Sequence, residues 1–221
     1  MSDRTMATLT PETLLRAYAV GLFPMAERRE DRTLFWIDPE KRGILPIDRF
    51  HLPRSLLRKL RRGRFEVRCD TAFERVIREC AAPAGDRPET WINEEIIALY
   101  SELFEMGRAH SVECWLGERL VGGLYGVTLG AAFFGESMFS RETDASKIAL
   151  AHLIARLRKG GFRLLDVQFV TDHLSRFGAV EIVRSGYRHL LAEALDQTAT
   201  FWCELEPSEV ERLLQPTTQT S

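Results

Sequence analysis

A mixed α+β fold, with a largely antiparallel sheet covered by helices, is what this chain of 221 residues predicts, and three observations carry it. The apolar period is helical near both ends but becomes extended through the middle, from His110 to Gly135. Gly117-Glu118 joins two of the extended runs by a turn short enough for antiparallel pairing. Helix, strand and helix follow, which suits a sheet covered by helices. With 45% hydrophobic and 28% charged residues, the chain can bury a sizeable core and is neither disordered nor fibrous. A formal charge of −2 excludes a protein that coats nucleic acid through overall charge, although a local patch is compatible with it.

Taken in order, Thr10 can cap a helix over 11–20, Pro11 suits its first turn and Gly21 stops it. Leu34 to Ile37 and Ile44 to Ile47 read as short strands separated by Asp38-Pro39 and Gly43, the second at an edge because of Pro46. Pro53 opens and Gly63 closes a basic helix, Phe65 to Cys69 alternates like a strand, and Thr71-Ala72-Phe73-Glu74 is a capping-box pattern starting the next helix. After a loop over 81–90, Asn93 caps a helix ending at Gly107. His110 to Leu116, Arg119 to Val127 and Ala132 to Gly135 form an antiparallel meander. Asp144 caps a helix stopped by Gly160-Gly161, and Arg163 to Val170 returns to strand.

These elements predict a small N-terminal α/β unit over 1–60, a catalytic domain over 61–205 resembling the N-acetyltransferase-like arrangement, and a polar C-terminal tail over 206–221. The uncharged run from Leu120 to Gly135 is short of the ~20 residues of a spanning helix, so no membrane association is expected. Cys69, Cys80, Cys114 and Cys203 lack Cys-x-x-Cys or zinc-ligand spacing, so buried thiols in a cytoplasmic protein without a metal are expected.

Three constellations could carry chemistry. Between Arg49 and Arg68 the net charge is +7, and Arg54, Arg58, Lys59, Arg61, Arg62 and Arg64 crowd one helix and its end, suited either to phosphate contacts or to a solvated face. In Phe133-Phe134-Gly135-Glu136-Ser137-Met138-Phe139-Ser140, a carboxylate and hydroxyls stand among large apolar groups, as in an apolar pocket with a polar rim or a plain core strand. Strand alternation puts Asp166 and Gln168 on one face, with Leu165, Val167 and Phe169 on the other. Ser137 with Asp172-His173 invites a serine-hydrolase reading, but the second glycine of Gly-x-Ser-x-Gly is missing.

Together these segments resemble the bacterial leucyl/phenylalanyl-tRNA protein transferase family. The ordered matches run from Tyr18-Ala19-Val20-Gly21-Leu22-Phe23-Pro24 through Phe35-Trp36-Ile37-Asp38-Pro39, Thr90-Trp91-Ile92, Val121-Gly122-Gly123-Leu124-Tyr125-Gly126 and Gly135-Glu136-Ser137-Met138, to Asp166-Val167-Gln168 and Asp172-His173. The resemblance implies transfer of Leu or Phe from leucyl-tRNA or phenylalanyl-tRNA to the α-amine of proteins that begin with Arg or Lys; a monomer is expected, and the reaction needs no cofactor. It implies that Asp166 and Gln168 handle the proton, that Glu136 is an active-site carboxylate, and that Trp36 and Trp91 hold the terminal adenosine. Leu124, Phe133 and Met138 would line the side-chain pocket, and the basic stretch would face the acceptor stem. Thr171 stands where the family motif has Asn.

An aminoacyl ester is already activated, so the enzyme must chiefly bring a neutral amine to its carbonyl. Gln168 can offer an amide oxygen to orient that amine, with Asp166 orienting Gln168 first and carrying a proton second. Glu136 can accept from the attacking ammonium or from the acceptor's cationic first side chain. An acyl-coenzyme A N-acyltransferase and a non-enzymatic RNA-binding protein are the alternatives. The first lacks a Gly-rich loop leading into the helix near Ala145, and the second gives no reason for Asp166 and Gln168 on one strand.

Overall fold

A computed structural model describes residues 9–25, 35–83, 90–202 and 204–215. Leu34, Cys203, positions 84–89 of the predicted loop and the 216–221 end of the predicted tail lie outside the described residues.

Helix α1 (Pro11–Ala19) starts as expected, with the Thr10 hydroxyl accepting from the Thr13 amide. Strands β1 (Phe23–Met25) and β2 (Phe35–Ile37) pair antiparallel as a separate two-stranded ribbon. The chain continues through β3 (Lys41–Ile44), α2 (Arg54–Arg61), β4 (Glu66–Cys69), α3 (Phe73–Ala81), α4 (Glu94–Glu105), β5 (Ala109–Leu116), β6 (Arg119–Leu129) and β7 (Ala132–Ser140). It then runs through α5 (Ala145–Gly160), β8 (Leu164–Gln168), the single turn α6 (Asp172–Ser175), β9 (Val180–Val183), α7 (Arg184–Leu195) and α8 (Pro207–Leu214).

Seven strands form one sheet in the order β4-β5-β6-β7-β8-β3-β9. Its pairs are antiparallel except β7 with β8, which are parallel because α5 carries the chain across between them. Successive side chains of an inner strand face opposite layers, and each layer is apolar. Phe134 and Tyr125 pack with Tyr18, Ile96 and Tyr100 under α1, α3, α4 and α7, whereas Phe133 and Leu124 pack with Ile148, Leu153 and Val210 under α5 and α8. The α+β class and the helical cover are therefore as the sequence predicts. Gly122 is required for this packing, since a Cβ there would lie 2.4 Å from the Ala145 Cβ at the start of α5. Among the described residues no helix is long and apolar enough to cross a membrane.

Several local expectations are corrected. The strand expected over 44–47 is instead β3 over 41–44, and it lies between β8 and β9 rather than at an edge. Gly43 is not a turn residue: a Cβ there would sit 2.8 Å from the Phe169 carbonyl carbon, so the glycine admits the backbone that leaves β8. Pro46 follows the strand and leads into a 3-10 turn, Ile47–Arg49. Lys41–Ile44, assigned by the sequence to the small unit, is thus an inner strand of the main sheet.

The capping box at Thr71 is absent, because buried Glu113 on β5 accepts from the Thr71 and Ala72 amides at 2.9 and 2.8 Å and from the Thr71 hydroxyl. Asp144 does not cap α5; it adopts a left-handed backbone and binds Lys59 and Lys147. Within the predicted tail, α8 buries Val210 and Leu214 against α5. Cys69, Cys80 and Cys114 are buried.

Candidate active site

The C-terminal end of β8 departs from ideal strand geometry. Gln168 has φ of 56°, a left-handed conformation that a non-glycine residue adopts only when something holds it there. The holder is Asp166, whose Oδ1 accepts the Gln168 amide at 2.8 Å in a turn closed by a side chain two residues earlier. Asp166 is fully buried and Gln168 is 8% exposed. Strict alternation therefore fails here. Val167, Gln168 and Phe169 all line the cleft described below, whereas Asp166 does not. The Gln168 Nε2 is buried with no hydrogen-bond partner among the described residues. A buried amide is costly to leave unpaired, so this one is available to a substrate group.

Glu136, on β7, meets two phenols. Tyr18 of α1 donates to Oε1 at 2.6 Å, and Tyr100 of α4 donates to Oε2 at 3.0 Å; the two hydroxyls are 2.6 Å apart. Burial pushes the Glu136 carboxyl up, to about 7, against the two hydrogen bonds that favour its anion. The negative charge of Asp166 adds to the rise and Arg42 opposes it. Glu136 thus changes charge in the physiological range. Burial and the neighbouring carboxylate raise both tyrosines well above the usual phenol range, so they remain donors. Sequence reasoning misses both tyrosines. The available signal is a phenol on the buried stripe of each helix, since a buried hydroxyl needs a partner.

A cleft of about 670 Å³ joins these groups. Gln168, Glu136 and Ser137 supply polar atoms, and Leu124, Met138, Leu150, Leu153 and Leu165 supply an apolar wall. Trp91 and Met25 line it, and Arg141 bonds Glu79 across its rim at 2.8 Å. His173 also lines it. Its Nε2 is buried without a partner among the described residues, and burial with the charges of Lys147 and Arg176 lowers its pKa, favouring the neutral ring.

Of the residues nominated from sequence, Glu136, Gln168, Trp91, Leu124 and Met138 converge on this cleft. Phe133 does not: it is fully buried on the opposite side of β7 from Phe134, packed on Phe162 and Phe201. Trp36 is 39% exposed on the ribbon, paired with Pro24, and is not itself in the wall; Phe23, Pro24 and Met25 are the ribbon residues that line it. Leu150 and Leu153 are visible in the sequence only as the apolar stripe of α5.

The basic helix is divided by its partners. Lys59 pairs with Asp144, Arg61 with Glu211 of α8, and Arg64 with Glu142 at 2.8 Å, so these three tie α2 to the rest of the protein. Arg54, Arg58 and Arg62 are exposed and have no ion-pair partner among the described residues.

The family model described as leucyl/phenylalanyl-tRNA protein transferase matches residues 44–192, and that of its N-terminal domain matches residues 7–40. Proteins named leucyl/phenylalanyl-tRNA--protein transferase are similar over most of their length. That of Paramagnetospirillum magneticum is 65% identical over 196 residues, covering 89% of this chain and 94% of the relative. That of Rhodospirillum rubrum is 56% identical, covering 89% and 92%, and that of Rhizorhabdus wittichii is 58% identical, covering 88% and 78%. With both family models matched in order along the chain, and with relatives 56–65% identical over most of it, this chain belongs to the leucyl/phenylalanyl-tRNA protein transferase family.

Proposed function

We propose that this chain moves leucine or phenylalanine from aminoacyl-tRNA to the α-amine of proteins that begin with Arg or Lys, in the cytoplasm and as a monomer, marking them for N-end-rule degradation. The observation that carries the reading is the Gln168 side-chain amide, whose Nε2 has no partner among the described residues, in the wall of an apolar cleft that Glu136 also lines. In this reading the leucyl or phenylalanyl side chain enters among Leu124, Met138, Leu150 and Leu153. Burial stabilises an apolar side chain there by about 0.8 kcal/mol per methylene, and polar side chains lose hydration without compensation. Trp91 offers a flat face to the terminal base, and such stacking is worth about 1–3 kcal/mol. Arg54, Arg58 and Arg62 meet acceptor-stem phosphates.

The bond formed is the amide between the acceptor nitrogen and the aminoacyl carbonyl carbon. The bond broken is the ester to the tRNA ribose, whose oxygen leaves with a proton. With an α-amine pKa near ~8, a useful fraction of the acceptor is neutral at physiological pH. The Gln168 oxygen accepts from that amine and aims its lone pair at the ester; an amide is too weak a base to remove the proton itself. Glu136 faces the same space and, as an anion, attracts the acceptor's positive charge. Proximity and orientation supply most of the acceleration, since the ester needs no further activation.

Purified protein is incubated with leucyl-tRNA or phenylalanyl-tRNA and an Arg-initiated peptide, and the peptide is weighed by mass spectrometry. Gain of one leucyl or phenylalanyl residue at its N-terminus is expected. An unmodified peptide with intact charged tRNA refutes the proposal, and equal modification of an Asp-initiated peptide refutes the acceptor rule.

A further inference from the structure

We infer that Arg42 and Tyr187 are positioning residues for the transfer: they clamp the Asp166 carboxylate, which in turn holds the backbone turn that directs Gln168 into the cleft. Arg42 is 1% exposed and grips Asp166 by two nitrogens, Nε at 2.9 Å from Oδ1 and 3.1 Å from Oδ2, and Nη2 at 2.6 Å from Oδ2. The Tyr187 hydroxyl donates to Oδ2 at 2.6 Å, and the Gln168 amide donates to Oδ1 at 2.8 Å.

A carboxylate has about four acceptor directions, and these donors occupy them. Asp166 therefore has its acceptor positions filled and no access to the cleft, so its part is to hold Gln168. The clamp is itself braced. Arg42 Nη1 donates to the Gly21 carbonyl at 3.1 Å, and its guanidinium lies 4.3 Å from the Phe23 ring centroid and 4.7 Å from that of Tyr187. Gly43, next to Arg42, is the β3 partner of Gln168, so clamp and turn share one register. None of this follows from the matched motifs, in which Arg42 does not occur. An arginine there is suited to the task because its planar fork matches a carboxylate bidentately, which a lysine cannot do.

The inference rests on the transfer reading, and the experiment separates the two. Tyr187→Phe removes one donor and keeps the ring; Arg42→Lys keeps the charge and loses the fork. Steady-state transfer of Leu to an Arg-initiated peptide is measured for each, alone and combined with Gln168→Ala or Gln168→Asn. Tyr187→Phe is expected to lower kcat by about tenfold with KM for both substrates within about twofold. Arg42→Lys should lower it further. In either Gln168 background the added loss should shrink to less than about twofold, because the residue acted upon is gone. Equal fold-losses in both backgrounds, a kcat that survives Tyr187→Phe, or a change confined to KM overturns the positioning role. No transfer by the unmutated protein refutes the transfer reading instead.

Discussion

Removing one phenol from Glu136 should move its titration by an amount that the local geometry sets. In Tyr18→Phe the 2.6 Å bond to Oε1 is lost, while Tyr100 remains at 3.0 Å from Oε2 and the ring still fills its place against Phe134. A hydrogen bond to a charged group contributes about 1.5–3 kcal/mol, and one pKa unit corresponds to about 1.4 kcal/mol, so the midpoint should rise by about 1–2 units from its starting value. That starting value is about 7, raised from 4.5 mainly by burial.

The folded chain holds this proton more tightly than the unfolded chain. The group's contribution to stability is therefore fully present below pH 4.5 and is lost as the pH rises through about 7. Losing the Tyr18 bond weakens the anionic form most, so the stability deficit of Tyr18→Phe should grow as pH rises past that midpoint. Carbon-13 NMR of labelled glutamate, with the Glu136 signal assigned by its absence in Glu136→Gln, reads the midpoint directly. Thermal unfolding at several pH values reads the stability. A Tyr18→Phe midpoint equal to or below that of the unmutated protein would show that the phenol does not stabilise the carboxylate, and the electrostatic account of this site would fail.

Other outcomes are expected from the same coordinates. Replacing Arg54, Arg58 and Arg62 by Ala should weaken binding of charged tRNA and flatten its salt dependence, the log–log slope falling by up to about 0.9 for each phosphate no longer neutralised. The melting temperature should stay unchanged, and filter binding across salt concentrations measures the slope. Replacing Arg61 by Ala should instead lower the melting temperature slightly, because it frees Glu211 and loosens α8. Gly43→Ala should cost about 1–3 kcal/mol in denaturant unfolding and lower transfer as well, since its Cβ would press on the Phe169 and Val170 backbone beside Gln168. Met138→Phe should reduce transfer of Phe more than of Leu in a competition assay, because the added bulk narrows a wall shared with Leu124.

Much of the fold follows from local pattern. The turn that joins β5 to β6, the Thr10 and Asn93 caps and the glycine stop after α5 each depend on neighbours in the chain, and each appears where the sequence puts it. The family motifs likewise mark Glu136, Gln168, Trp91, Leu124 and Met138, which converge on one cleft. The expectations that fail depend on partners far away in sequence. Thr71 has the residues of a capping box, but Glu113, some forty residues later, satisfies the amides in its place. Gly43 reads as a turn, yet it is strand backbone that lets another segment pass.

The divergent fates of Asp166 and Gln168 show the same limit. Alternation assigns them one face, and only a clamp assembled from β3 and α7 against β8 separates a buried anchor from an amide that reaches the cleft. Which residues could do chemistry was therefore decided by type and spacing along the chain. Which of them meet substrate was decided by long-range packing, because burial and hydrogen-bond satisfaction are properties of the assembled surroundings and not of any one segment.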